Sequence, residues 1–118
     1  MNFYQINNTN NIYNNYNNNY QLNQFQNSLN LKVIKNQNFD NEMIDYGIII
    51  INKAYNLMNN GSDRTKYIVD SFDSKYPQKG NHWNCFILPL SIPGCCFYSS
   101  YSIIYSTGKE EILIFAYY

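Results

Sequence analysis

Charge is scarce in this 118-residue chain, and it is balanced. Eight basic and eight acidic side chains cancel, and every one of them lies at or beyond Lys32. Without a basic excess there is no electrostatic footprint for phosphate, so nucleic acid is not expected as a partner. A net charge of zero also offers little electrostatic resistance to self-association. Long hydrophobic runs are missing as well. The longest, Tyr46–Ile51 and Ile112–Tyr118, fall far short of the ~20 residues a membrane span needs, so no membrane partner is expected. No basic n-region followed by an apolar stretch opens the chain, and no secretory signal is expected. Cysteine amounts to three residues, Cys85, Cys95 and Cys96. The number is odd, and the adjacent pair suits disulfide geometry poorly, so reduced thiols in a cytoplasmic setting are expected. With a single histidine, His82, and no C-x-x-C pair, a metal site of four suitable ligands is not expected, nor is a cofactor.

The first thirty residues differ in kind from the rest. "NNTNNIYNNYNNNYQLNQFQNSLN" is mostly Asn and Gln with scattered aromatics and no charge. Its apolar content is too small to offset the entropy of ordering, so residues 1–30 are expected to form a disordered tail. Asn/Gln tracts with aromatics can support assembly, but compositional drift without a role is the plainer reading.

A folded domain is expected over residues 31–118. "LKVIKN" alternates Leu31 and Val33 with Lys32 and Lys35, as a short strand does. Asp40 reads as an N-cap with Glu42 in the first turn. Two neighbouring stripes then predict a broadly buried helix: Ile44, Ile48, Ile51, Tyr55, Met58 beside Met43, Gly47, Ile50, Ala54, Leu57. "NNG" is expected to stop it, with Gly61 suited to a left-handed residue. Ser62 and Asp63 begin a second helix bearing Ile68, Val69, Phe72 and Tyr76, after a one-residue connection, and Pro77 ends it. The remainder reads as β: Trp83–Leu88, "CCFYSS", "YSIIYS", a turn at Thr107–Gly108, then "EEILIFAYY". The order β-α-α-β-β-β-β makes this an α+β domain with an antiparallel sheet.

"HWNC" (His82–Cys85) has the residue set of a thiol hydrolase. A nucleophile needs its base within ~2.6–3.2 Å, and on a strand positions i and i+3 point to opposite faces. Cys85 is therefore expected to be a buried small hydrophobe, and no enzyme is expected. Cys95 and Cys96 read as ordinary strand positions rather than a redox pair. Tyr101, Ile103, Tyr105, Ile112 and Ile114 read as sheet core, and Asp63, Asp70 and Asp73 as the solvated face of the second helix.

Over residues 31–118 the chain resembles the smallest class of dynein light chains, the dimeric hub family. The resemblance is carried in order by "KVIKN", "EM" at Glu42–Met43, Ala54, "FDSKY", "WNC", Gly108 and "ILIF"; about three extra residues precede Trp83. It implies a non-catalytic, strand-swapped homodimer in the cytoplasm and cytoskeleton. Extended peptides, the dynein intermediate chain among them, add to its sheet edge and support motor assembly and microtubule-based movement. It places the peptide groove and dimer strand at Pro93, Gly94, Cys95, Cys96, Phe97, Tyr98 and Ser99, with Ile104 and Ser62 nearby. There this sequence departs from the family. A threonine-histidine pair is replaced by Cys96 and Phe97, a serine by Pro93 and a helix-start lysine by Ser62. Aromatics of the next strand give way to Ser102, Ile104 and Ser106. Pro93 cannot donate a ladder hydrogen bond, worth about 0.5–1.5 kcal/mol. The alternative implied is a divergent structural subunit that has lost peptide binding.

Overall fold

The computed structural model describes residues 28–79, 82–89 and 99–117. Its elements run β1 (Lys32–Gln37), α1 (Asn41–Leu57), α2 (Gly61–Lys75), a 3-10 turn (Pro77–Lys79), β2 (His82–Pro89), β3 (Tyr101–Ser106) and β4 (Glu110–Tyr117). The four strands form one antiparallel sheet in the order β1-β3-β4-β2. Both helices pack on one of its faces, which is the expected α+β architecture. The tail expected over residues 1–30 falls, up to residue 27, outside the described residues. So does most of the strand expected at "CCFYSS"; Ser99 and Ser100 are described and lie in no strand.

Local chemistry accounts for the chain's entry into α1. The Asn36 side chain accepts from the Phe39 amide and donates to the Phe39 carbonyl, each at 3.0 Å. Asn38 adopts φ 70°, a left-handed value that asparagine tolerates better than most residues. Asp40 then caps α1, its carboxylate accepting from Met43 N at 2.9 Å. The buried face of the helix is Met43, Gly47, Ile50, Ile51 and Ala54, with Ile44, Ile48 and Tyr55 only half buried. Leu57 is exposed, because the helix has passed the end of the core by then.

The link between the helices differs from expectation. Gly61 is not left-handed; it is the first residue of α2, and Met58–Asn60 make a three-residue connection. Met58 leaves α1 in an extended conformation, and Asn60 caps α2 by accepting from Asp63 N at 2.8 Å. The next N-cap thus supplies the turn that a left-handed glycine was expected to make. Tyr76 closes α2 and Pro77 enters the 3-10 turn as a stop. Gly108, at φ 91°, makes the β3–β4 turn, where only a residue lacking Cβ sits without strain.

Trp83, Phe72, Met43, Ile51, Ile68, Tyr105, Ile112 and Ile114 are fully buried between helices and sheet. Each such side chain contributes on the order of 1.5–3 kcal/mol. Gly47 costs α1 some helix propensity, but it admits the Tyr105 ring. A Cβ there would meet Tyr105 Cζ at 2.9 Å, and the Tyr105 hydroxyl donates to the Ile44 carbonyl at 2.8 Å. The one buried polar side chain among the described residues, Asn52, also serves the backbone. Its Oδ1 accepts from the Leu29 amide at 2.7 Å, which ties the segment before β1 onto α1.

Strand β1 departs from its alternating pattern. All six residues are exposed, Val33 and Ile34 included, because β1 pairs only with β3 and neither helix packs closely over it, whereas α2 packs on β2. The register slips between Val33 and Lys35, leaving Ile34 as a bulge.

Candidate functional site

Two strands bound the sheet, β1 and β2, and they are finished differently. β1 carries Lys32, Lys35 and the bulge at Ile34, the devices that keep an edge from pairing with another chain. β2 carries none of them. "HWNCFILP" has no Asp, Glu, Lys or Arg, and it pairs with β4 from His82 to Pro89 with no register slip. Its buried residues Trp83 and Cys85 anchor it to the core. Among the described residues no strand lies beyond it.

Hydrogen bonding shows which of its backbone groups face outward. In an antiparallel ladder, successive residues turn their N–H and C=O groups to alternate sides. The Trp83 amide donates to Asp73 Oδ1 of α2 at 3.1 Å, away from β4. On the far side of β4, the Ala116 carbonyl accepts from Ser100 N and the Glu110 carbonyl from Thr107 N, both at 2.9 Å. Trp83, Cys85, Ile87 and Pro89 therefore turn their backbone groups outward, while Asn84, Phe86 and Leu88 bond to β4. Pro89 is tolerated because its missing N–H faces the open side.

Helix α2 forms a wall beside this edge. A cleft of about 350 Å³ lies between them, lined by Ser62, Thr65, Lys66, Val69 and Asp70 of α2 and by residues 82–86 of β2. Lys66 and Asp70 pair at 2.8 Å on the exposed helix surface. Asp73 is not simply solvated, contrary to expectation. Besides the Trp83 amide it faces His82 Nδ1, at 3.7 Å. Cys85 is buried, and burial pushes its thiol up to about 12, so a reactive thiolate does not form there at neutral pH. His82 is largely exposed beside Asp73, not paired with that thiol.

The sheet face turned away from the helices adjoins this edge. By the strand register, Phe86, Leu113, Phe115, Tyr117 and Ile104 share it. Leu113 and Phe115 on it are buried in the single chain, whereas Phe86 and Tyr117 are exposed, their rings 5.7 and 5.6 Å from that of Phe115. Of the residues placed at the site from sequence, Ser62 lines the cleft with β2. Ile104 lies on the outer sheet face opposite Leu113, two strands away from that edge. The Ser99 carbonyl accepts from Gln37 Nε2 at 2.9 Å, beside the end of β1. Pro93, Gly94, Cys95, Cys96, Phe97 and Tyr98 lie outside the described residues. What sequence reasoning missed is the far wall, Thr65, Lys66, Val69 and Asp70, and the N–H acceptor Asp73. Their sole signal was the uncharged strand "WNCFILP", which needs a neighbour on its open side.

The geometry defines a two-helix α+β module with one guarded sheet edge and one open edge walled by a helix. The fold is dynein light chain-like. Two crystal structures of the dynein light chain-like domain of the Fasciola hepatica calcium-binding protein FhCaBP2 superpose on it. The native form gives a TM-score of 0.61 at 17% identity, covering 76% of this chain and 93% of that one. The mercury derivative gives 0.59 at 18% identity, covering 73% and 90%. No protein-family model and no curated protein matches the sequence.

Proposed function

We propose that the chain is a non-catalytic dynein light chain subunit, a homodimeric hub that binds extended peptides by strand addition. The observation that carries this reading is the open β2 edge, uncharged and continuous through Phe86 with an apolar outer sheet face. A single peptide would cover the edge alone. A second copy related by a two-fold axis covers the edge together with the exposed Phe86 and Tyr117 rings, which is why a homodimer fits better. The segment between β2 and β3 is then the strand each protomer lends its partner. A client such as the dynein intermediate chain adds along the stretch around Cys95–Ser99. The reading places the protein in the cytoplasm on the cytoskeleton, supporting motor assembly and microtubule-based movement.

Pro93 favours a second reading, a structural subunit that dimerises without binding clients, because a proline in the added strand lacks a ladder donor. Sedimentation of the full chain, followed by fluorescence anisotropy with labelled intermediate-chain peptides, decides between them. A dimer that binds at micromolar peptide supports the hub. A dimer with no binding supports the structural subunit, and a monomer at tens of micromolar removes both.

A further inference from the structure

We propose that Asp73 sets the register of the strand that a second copy of the chain adds to β2, by keeping the outward amide of Trp83 out of the shared ladder. The inference rests on the homodimer reading above and adds to it a positioning residue and a bounded window.

Four residues of β2 turn their backbone outward: Trp83, Cys85, Ile87 and Pro89. The first of their amides is already taken by Asp73 Oδ1 at 3.1 Å. An amide–carboxylate bond is charge-assisted and about twice as strong as an amide–carbonyl bond, so an incoming carbonyl does not displace it. The Trp83 backbone cannot swing away to a new partner either. Its ring is fully buried, and its indole N–H donates to the Tyr76 carbonyl at 3.1 Å. At the other end Pro89 has no amide to give. Only the amides of Cys85 and Ile87 remain to receive a strand.

An added strand that slips two residues toward His82 puts a carbonyl against the occupied Trp83 amide. One that slips toward Leu90 puts a carbonyl against Pro89. Counted in donated amides, a strand no longer than this window forfeits one of its two on either slip, and slips of one residue turn the strand's inward side chains outward. Among the described residues no strand covers this edge, and the amides it offers a partner form a window bounded by Trp83 and Pro89.

Residue-resolved amide hydrogen exchange on the full chain, at concentrations above and below the dimer's dissociation constant, tests this. Cys85 and Ile87 are expected to exchange at least roughly tenfold more slowly in the dimer, while Trp83 is protected equally in both states. Asp73→Asn keeps an acceptor oxygen and should preserve this pattern. Asp73→Ala frees the amide and should make Trp83 exchange depend on concentration. If Trp83 in the wild-type chain follows concentration together with Cys85 and Ile87, the register proposal is overturned while the dimer stands. If none of the three responds to concentration, the dimer reading fails and takes the proposal with it. Should Asp73→Ala not fold, the wild-type and Asp73→Asn profiles decide alone.

Discussion

Strand β1 puts all six of its residues into solvent, two of them lysines, and bulges at Ile34. Strand β2, at the opposite margin of the same sheet, has no lysine, arginine or carboxylate, keeps an unbroken register, and sinks Trp83 and Cys85 into the core. Both are edges, and an unpaired edge invites association. Protection is therefore a local decision made strand by strand, not a property of the sheet. The half of the molecule that lacks protection is also the half with a helix standing beside it and an apolar face behind it. With β1 guarded, β2 is the margin of the described sheet that has neither lysine nor bulge.

The contrast can be broken most severely at Trp83. Trp83→Ala empties the largest fully buried side chain and removes one of the two donors to the Tyr76 carbonyl, leaving the Lys79 amide. It is expected to cost about 3–5 kcal/mol in chemical denaturation; a loss below about 1 kcal/mol would mean that β2 is not anchored as described. Phe86→Lys gives β2 the kind of residue β1 carries, on the side chain that joins edge to outer face. With Phe86 47% exposed in the single chain, about 1 kcal/mol of burial remains for an interface to gain, and a two-fold axis counts it twice, so the dimer should weaken by about 10-fold or more. Folding stability should fall by about 1 kcal/mol, because the ring already packs on Phe115. Sedimentation that still shows a tight dimer would separate self-association from this edge.

Alkali probes the core side of β2. Burial lifts the Cys85 thiol from 9.0 to about 12, so its contribution is intact below pH 9 and is lost as pH rises through 12. Tyr55 and Tyr76 are raised as well, first by burial and then by Glu110 and Glu42 respectively, and act in the same direction. The thermal midpoint should fall between pH 9 and 12, and Cys85→Ala should make that fall shallower; parallel curves would contradict a buried, neutral thiol. The smallest effect belongs to β1. Val33→Thr at this exposed position should stay within about 0.5 kcal/mol of wild type, and a larger loss would show that the edge carries packing its exposure does not suggest.

Much of the fold was legible in the sequence wherever local chemistry decides. Asp40 capped its helix, Pro77 stopped the next one, and Gly108 turned the last hairpin. Gly61 was misread because a glycine after "NN" suits a left-handed residue, but Asn60 served as a cap one residue earlier. Val33 was read as the apolar side of an alternating strand, and its exposure follows from β1 lying at the margin where neither helix packs closely, which no local pattern reveals. Ser62, singled out from sequence, lines the cleft beside β2, but the strand after Trp83 was read as a strand and not as a sheet margin, because strand order is set by long-range pairing. Asp73 was not legible, because its partner amide is ten residues away and only the packing of α2 on β2 joins them. The bulge at Ile34 was hidden for the same reason, since register is a property of two strands.

The Asn52 bond to Leu29 gives the domain a mechanical load point. Tension drawn through the residues just before β1 loads this bond and the start of the ladder with β3. A pull along the strand axis loads those ladder bonds together, in shear, whereas a pull across the sheet opens them one by one. Helix α1 thus takes up force on the guarded side of the molecule. A pull there is separated from the margin at β2 by two strands, β3 and β4.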